Sequence, residues 1–304
     1  MKTMDLKELS WMLGVERNVH DFQTVMDDIH LPRSGRIFVA HWQHPKHRTF
    51  VPCQSELDAL SRYIQPGDIT IDIGAFTGNH SIRMGILNGL EGSVLAIEPN
   101  PVAYKILHEN ARLNRKRMAI VPLHFNPASS DRDMDFVVTD YGGYAGYTQD
   151  SRKACFHPGR RQFPVRGLHT DSFIQQQYPE IVDQVRLIRI RSIGREPEVL
   201  LSLEQIIRQS KPFIQVVLRK GSPDENRTIV YEMLEQFGYR IYRSGDPLPY
   251  QEAPVRLQEV LLIRQMDLFA VPVGNDPEEP EEDQEIEESE IKEVPGSVNP
   301  HITQ

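Results

Sequence analysis

Two carboxylates placed beside glycine and proline turns carry most of the chemistry that this sequence offers. Asp72 follows the β-branched run Ile69-Thr70-Ile71 and leads into Ile73-Gly74-Ala75-Phe76-Thr77-Gly78-Asn79. Glu98 closes the apolar run Val94-Leu95-Ala96-Ile97 and precedes Pro99-Asn100-Pro101. A glycine turn between a buried strand and a helix lets backbone N–H groups approach a ligand, and the helix start adds a positive partial charge. That suits a nucleotide-like ligand, with Glu98 positioned to accept from both ribose hydroxyls. Asp72 discriminates among such ligands. A carboxylate there repels a pyrophosphate held at the same turn, but it holds the cationic amino-acid end of S-adenosylmethionine, directly or through water. The glycine spacing is Gly-x-x-x-Gly, not the dinucleotide fingerprint, which disfavours a nicotinamide-dependent oxidoreductase. Taken alone, an aspartate before glycine is also an ordinary turn residue, and Glu98 alone is also a helix-capping acid. Their joint placement at two strand ends of one unit favours the ligand reading. Both acids are then expected at the ligand edge and not in the core, with Gly74, Ala75, Gly78 and Asn79 lining the cofactor.

The elements that must hold these residues follow from periodicity. Residues 69–73 read as a buried parallel strand, followed by a helix with Ile82 and Ile86 on one face that ends at Gly89 and Gly92. Residues 94–97 form the next strand, Pro101 opens a helix carrying Tyr104, Leu107 and Ala111, and residues 120–124 give a third strand. This order is the βαβαβ half of a doubly wound sheet. A helix before it, with Leu57, Leu60 and Ile64 behind Ser55 as N-cap, stops at Pro66-Gly67. Later come a strand over 186–190, one helix carrying Val199 to Ile207, a strand over 213–218, and a helix ended by Gly238. Residues 239–242 and 260–263 are expected to pair as a final antiparallel hairpin.

At these residues the chain resembles the FkbM family of methyltransferases. The similarity lies in Asp72-Ile73-Gly74-Ala75-Phe76-Thr77-Gly78-Asn79-His80-Ser81, in Ile97-Glu98-Pro99-Asn100-Pro101, and in Asn126-Pro127-Ala128-Ser129-Ser130-Asp131, and runs on through Thr170-Asp171-Ser172-Phe173. It implies a Rossmann-like, doubly wound α/β fold with a mostly parallel seven-stranded sheet. It also implies S-adenosylmethionine as cofactor, with Asn126 beside it, and methyl transfer to a hydroxyl of a sugar or small metabolite. One stretch departs. The family places acids where this chain has Arg191, Ile193 and Val217, although Gly194, Glu196, Pro197, Glu198, Val199 and Leu200 match. Arginine reverses the charge where sulfonium and acceptor should meet, so either catalysis is altered or lost and the chain is a cofactor-binding or partner-binding module, or Arg191 receives an acidic acceptor such as a phosphate or uronate. Candidates for a general base are His169, Asp171 and Glu196. The Tyr141, Tyr144 and Tyr147 loop reads either as an acceptor lining or as aromatic anchors of a glycine-rich loop.

Composition bounds the rest. The chain has 304 residues, 39% apolar and 25% charged, and its net charge of −9 lies in one place. Residues 276–293 hold eleven carboxylates against Lys292, a net −10 that leaves the remainder near +1. That division gives an N-terminal extension over 1–50, a methyltransferase-like domain over 51–270 and a disordered acidic tail over 271–304, which is either solubilising or a dock for a basic protein. A near-neutral body without a basic stripe gives no footing for nucleic acid. No membrane span or leader is expected, and two cysteines, Cys53 and Cys155, fit a cytoplasmic setting. His41, His44 and His47 lack an acidic partner nearby and are interrupted by Pro45, so no metal site is expected.

Overall fold

The computed structural model describes residues 24–42, 51–139, 160–219, 222–245, 253–263 and 265–274. The first described elements are β1 (Thr24–Leu31) and β2 (Gly35–Trp42), an antiparallel hairpin, followed by α1 (Gln54–Leu60). Then β3 (Ile69–Ile73), α2 (Asn79–Asn88), β4 (Ser93–Ile97), α3 (Pro101–Asn114) and β5 (Ile120–Leu123) alternate as the glycine and proline punctuation requires. Asn100 caps α3 by accepting from the Val102 and Ala103 amides, and Pro101 opens it, an arrangement in which the missing N–H costs nothing. A small separate sheet of β6 (Asn126–Pro127), β7 (Arg132–Thr139) and β8 (Arg160–Leu168) follows. The chain returns through α4 (Thr170–Gln177), β9 (Val185–Ile190), α5 (Glu196–Leu201), α6 (Glu204–Ser210), β10 (Phe213–Leu218) and α7 (Asp224–Gln236). It ends in β11 (Tyr239–Ser244), α8 (Leu257–Leu262) and β12 (Met266–Pro272).

Seven strands form one sheet in the order β11-β12-β10-β9-β3-β4-β5. All neighbours are parallel except β12, which runs against both β10 and β11. This is the six-strand doubly wound order with one reversed strand inserted between the fifth and sixth. The expected Rossmann-like, mostly parallel seven-stranded α/β fold is what the chain adopts. Strands covered on both faces must be apolar throughout, and β3 and β10 are buried at every position. Along β4, Leu95 and Ile97 join the apolar cluster on one face, and Val94 and Ala96 the cluster on the other. Leu31, Ile37 and Val39 of the first hairpin pack into that second cluster with Leu57 and Phe269, so the hairpin shares the core of the sheet.

Three local expectations are corrected. The closing hairpin exists, but its second strand is β12, whereas residues 260–263 fall in and after α8. There the Glu259 side chain accepts from the Arg256 amide at 2.7 Å, an N-terminal lock that favours a helix over a strand. The single helix over 199–207 is two, because the Asp171 carboxylate accepts from the Gln205 and Ile206 amides and starts α6 afresh. The N-cap of α1 is Cys53, not Ser55, with Glu56 accepting from the Cys53 amide. The tyrosine loop of 141–147 and residues 275–304 of the acidic tail lie outside the described residues, whereas Val271 and Pro272, placed in that tail from sequence, belong to β12. Among the described residues no helix is long and apolar enough to cross a membrane.

Candidate functional site

The carboxyl ends of β3 and β4 bring the glycine turn and Glu98 together. Gly74 adopts φ +74°, and the space a Cβ would take there is already held by the Arg191 carbonyl oxygen, 2.1 Å away, so only glycine lets β3 and the end of β9 approach this closely. The Gly74 and Ala75 amides both donate to the Ile97 carbonyl, at 2.9 and 3.1 Å. The Phe76 amide donates to Glu98 Oε2 at 2.6 Å, with Phe76 itself in the left-handed region at φ 54°. Gly78, at φ +93°, precedes α2, and Asn79 accepts from the Thr77 hydroxyl at 3.2 Å. Most amides of the turn are therefore spent on tying β3 to β4.

Glu98 directly follows β4, at the strand tip beside the turn. It is 5% exposed, and its second oxygen accepts from the Asn100 amide at 2.7 Å. Burial pushes its pKa up to about 7, against the pull of those two amides. A carboxylate has about four acceptor positions, so two remain for further donors.

Asp72 is not at a ligand edge. It is 0% exposed, accepts from Arg189 Nη1 at 3.0 Å and from the Ser81 hydroxyl at 2.7 Å, and lies directly across from Arg189 in the β3–β9 register. Arg189, 3% exposed, could not be buried without such a counter-charge. The pair was missed from sequence, yet an arginine inside the apolar run Leu187-Ile188-Arg189-Ile190 is itself a sign that an acid must wait on a neighbouring strand.

Asn126 is buried in β6 with its Nδ2 3.1 Å from Met134 Sδ, and its Oδ1 meets no donor among the described residues. His169 is the N-cap of α4, Asp171 starts α6, and Glu196 is 0% exposed and accepts from the Gly194 amide and the Ser222 hydroxyl. Burial raises the pKa of both Asp171 and Glu196. None of the three lines the cavity described next, and each has a structural task.

That cavity, about 120 Å³, opens at the carboxyl ends of β9 and β10. Its walls include Arg83, Arg189, Arg191, Arg219, His80, Gln215 and Val217. Glu56 answers Arg83 at 2.5 Å. Burial, and then the neighbouring guanidiniums of Arg189, Arg83, Arg191 and Arg219, hold His80 well below the usual histidine range, so its imidazole is neutral. Arg191 was singled out from sequence; the other cations were not, because their convergence depends on four separate elements. His41 pairs with Asp27 at 2.9 Å, and among the described residues no three potential metal ligands converge, His44 and His47 being outside them.

No family model matches the chain. It is 36% identical over 67 residues to a ribosomal protein L11 methyltransferase of Carboxydothermus hydrogenoformans, covering 22% of this chain and 21% of that protein. A second such enzyme, of Caldicellulosiruptor bescii, is 35% identical over 68 residues, covering 22% and 21%. The chain thus spans about a fifth of the length of the curated relatives it matches. Among solved structures, the methyltransferase FkbM of Methylobacillus flagellatus superposes with TM-score 0.40 at 12% identity, covering 71% of this chain and 50% of that one. An S-adenosylmethionine-dependent O-methyltransferase of Thermotoga maritima gives 0.38 at 14% identity over 83% and 79%. Aeropyrum pernix fibrillarin, solved with S-adenosylmethionine, gives 0.40 at 11% over 82% and 99%, and at this level none of the three carries a functional argument.

Proposed function

We propose that the chain is an S-adenosylmethionine-dependent methyltransferase acting on a hydroxyl of a sugar or small metabolite. The observation that carries it is Glu98, fixed by two backbone donors beside the Gly74 to Gly78 turn, with acceptor capacity left for a pair of ribose hydroxyls. The reversed seventh strand and the short matches to ribosomal protein L11 methyltransferases support the same reading. The nucleoside end of the cofactor fits these residues: Glu98 at the ribose, with Ala75, Gly78 and Asn79 alongside. The amino-acid end fits differently from the sequence expectation, since Asp72 is neutralised by Arg189 and acts by holding that guanidinium in place.

When bound, the cofactor supplies an electrophilic methyl group. The chain's part is then to position the acceptor and keep water out. His169, Asp171 and Glu196 are occupied in helix starts and loops, so proton removal falls to none of them in this reading.

A second reading, a cofactor-binding protein whose catalysis is altered, is favoured by Arg191 and Val217 in place of acids. Isothermal titration with S-adenosylmethionine tests the binding claim. Wild type should bind, and Glu98→Ala should bind about tenfold more weakly or worse, a loss near 1.4 kcal/mol. Equal affinity in both would reject the site. Methyl transfer to a panel of glycans and sugar phosphates then separates the enzyme from the binding protein.

A further inference from the structure

The arginine cavity has more positive charge than its own carboxylates can answer. Its walls hold four arginines against Glu56 and Asp267. Glu56 is committed to Arg83, and Arg189 is met from below by Asp72. Glu98, at the tip of β4, also feels Arg191. Hydrogen-bond donors are in excess too. The Nε–H groups of Arg189 and Arg219 are buried and meet no acceptor among the described residues. A buried donor of a charged group is costly to leave unsatisfied, so two of them on side chains that line one cavity favour an acceptor there. The shape agrees with a small one. At about 120 Å³ the space is several times the roughly 30 Å³ of a water molecule, yet well under the ~300 Å³ at which pockets for whole small ligands begin.

We propose that this cavity binds an oxyanion, the phosphate or carboxylate group of the methyl acceptor, through the guanidinium groups of Arg189 and Arg219 with Arg191 at its rim. The guanidinium fork matches the paired oxygens of both groups. Gln215, on the same wall, offers an amide donor to the same oxygens. That the anion belongs to the acceptor rests on the methyltransferase reading; that an oxyanion binds here does not.

The full chain is titrated calorimetrically with inorganic phosphate, glucose 6-phosphate, glucuronate and glucose, each with and without saturating S-adenosylhomocysteine. Expected are binding of phosphate and glucose 6-phosphate with Kd below about 1 mM, no binding of glucose, and retention of phosphate binding when the nucleoside is present. Relative affinity for glucose 6-phosphate and glucuronate decides between phosphate and carboxylate. Arg219→Gln should lower phosphate affinity at least about tenfold, and Arg219→Lys, which keeps charge but not the fork, should fall between. Arg117→Gln, at the amino edge of the sheet and bonded to the Ser34 carbonyl, is the charge-matched control and should change nothing. Thermal melting of each variant excludes loss of fold. Absence of phosphate binding, or equal weakening by Arg117→Gln, overturns the proposal. Competition between phosphate and S-adenosylhomocysteine assigns the cavity to the cofactor's own carboxylate and overturns the acceptor assignment. Phosphate binding with no nucleoside binding leaves the cavity intact and defeats the methyltransferase reading instead.

Discussion

At the tip of β4 a single carboxylate stands among backbone amides, while at the tips of β9 and β10, two and three strands away, guanidiniums line the wall. The pattern of the FkbM family that the sequence resembles would put acids at both places. With Glu98 on β4 and Arg191 and Val217 at β9 and β10, the strand tips have one acidic end and one basic end. Asp72 lies between them and belongs to the basic end, as the counter-ion of Arg189. The difference teaches that an acid at a strand tip is not by itself a ligand contact; what lies across the sheet decides whether it faces outward or is consumed by a neighbour.

The sharpest break in this contrast is Asp72→Ala. It strands Arg189 without a counter-charge and should cost roughly 3–5 kcal/mol in urea unfolding. Adding Arg189→Met should recover a large part of that loss. A single-variant cost below about 1 kcal/mol would mean that the pair does not organise the basic end.

Gly74→Ala comes next. A methyl group cannot share space with the Arg191 carbonyl, and the left-handed backbone adds strain, so a loss of about 2–4 kcal/mol is expected, again by urea unfolding.

Glu98 gives a pH test of the acidic end. Its folded pKa is raised from about 4.5 to about 7, so its contribution to stability is fully present below the unfolded value and is lost as pH rises through 7. The swing is on the order of 3 kcal/mol, and Glu98→Gln should flatten it in melts taken from pH 4 to 8. Nucleoside affinity should run the other way, since ribose hydroxyls are accepted best by the ionised form. Titrations at pH 5.5 should therefore bind several-fold more weakly than at pH 8.

The smallest effect is expected for Arg219→Gln without ligand, within about 1 kcal/mol of wild type, because its buried Nε meets no acceptor among the described residues. Phosphate should stabilise wild type by mass action and leave this variant almost unmoved.

Local features were legible. The β3–turn–β4 unit, the proline start of α3 and the Gly238 stop follow from neighbouring residues, and the structure contains them all. What was not legible depends on partners distant in the chain. Asp72 and Arg189 are 117 residues apart, and nothing near Asp72 announces that its charge is taken. Asp171 splits a helix from 34 residues away. The run Val260-Leu261-Leu262-Ile263 is too short for periodicity to separate helix from strand, and the Arg256 to Glu259 spacing was the available clue. The basic cavity escaped for the same reason, since its arginines come from α2, β9 and the segments that follow β9 and β10.

Asn110 of α3 ends one chain of consequences. Its amide donates both to the Ala40 carbonyl on β2 and to the Thr77 carbonyl of the glycine turn, while its Oδ1 accepts from the Ala40 amide. One side chain thus splints the entry hairpin to the loop beside Glu98. Anything that tightens that loop should slow hydrogen exchange at Ala40, and anything that pries the hairpin loose should be felt where the ribose is proposed to rest.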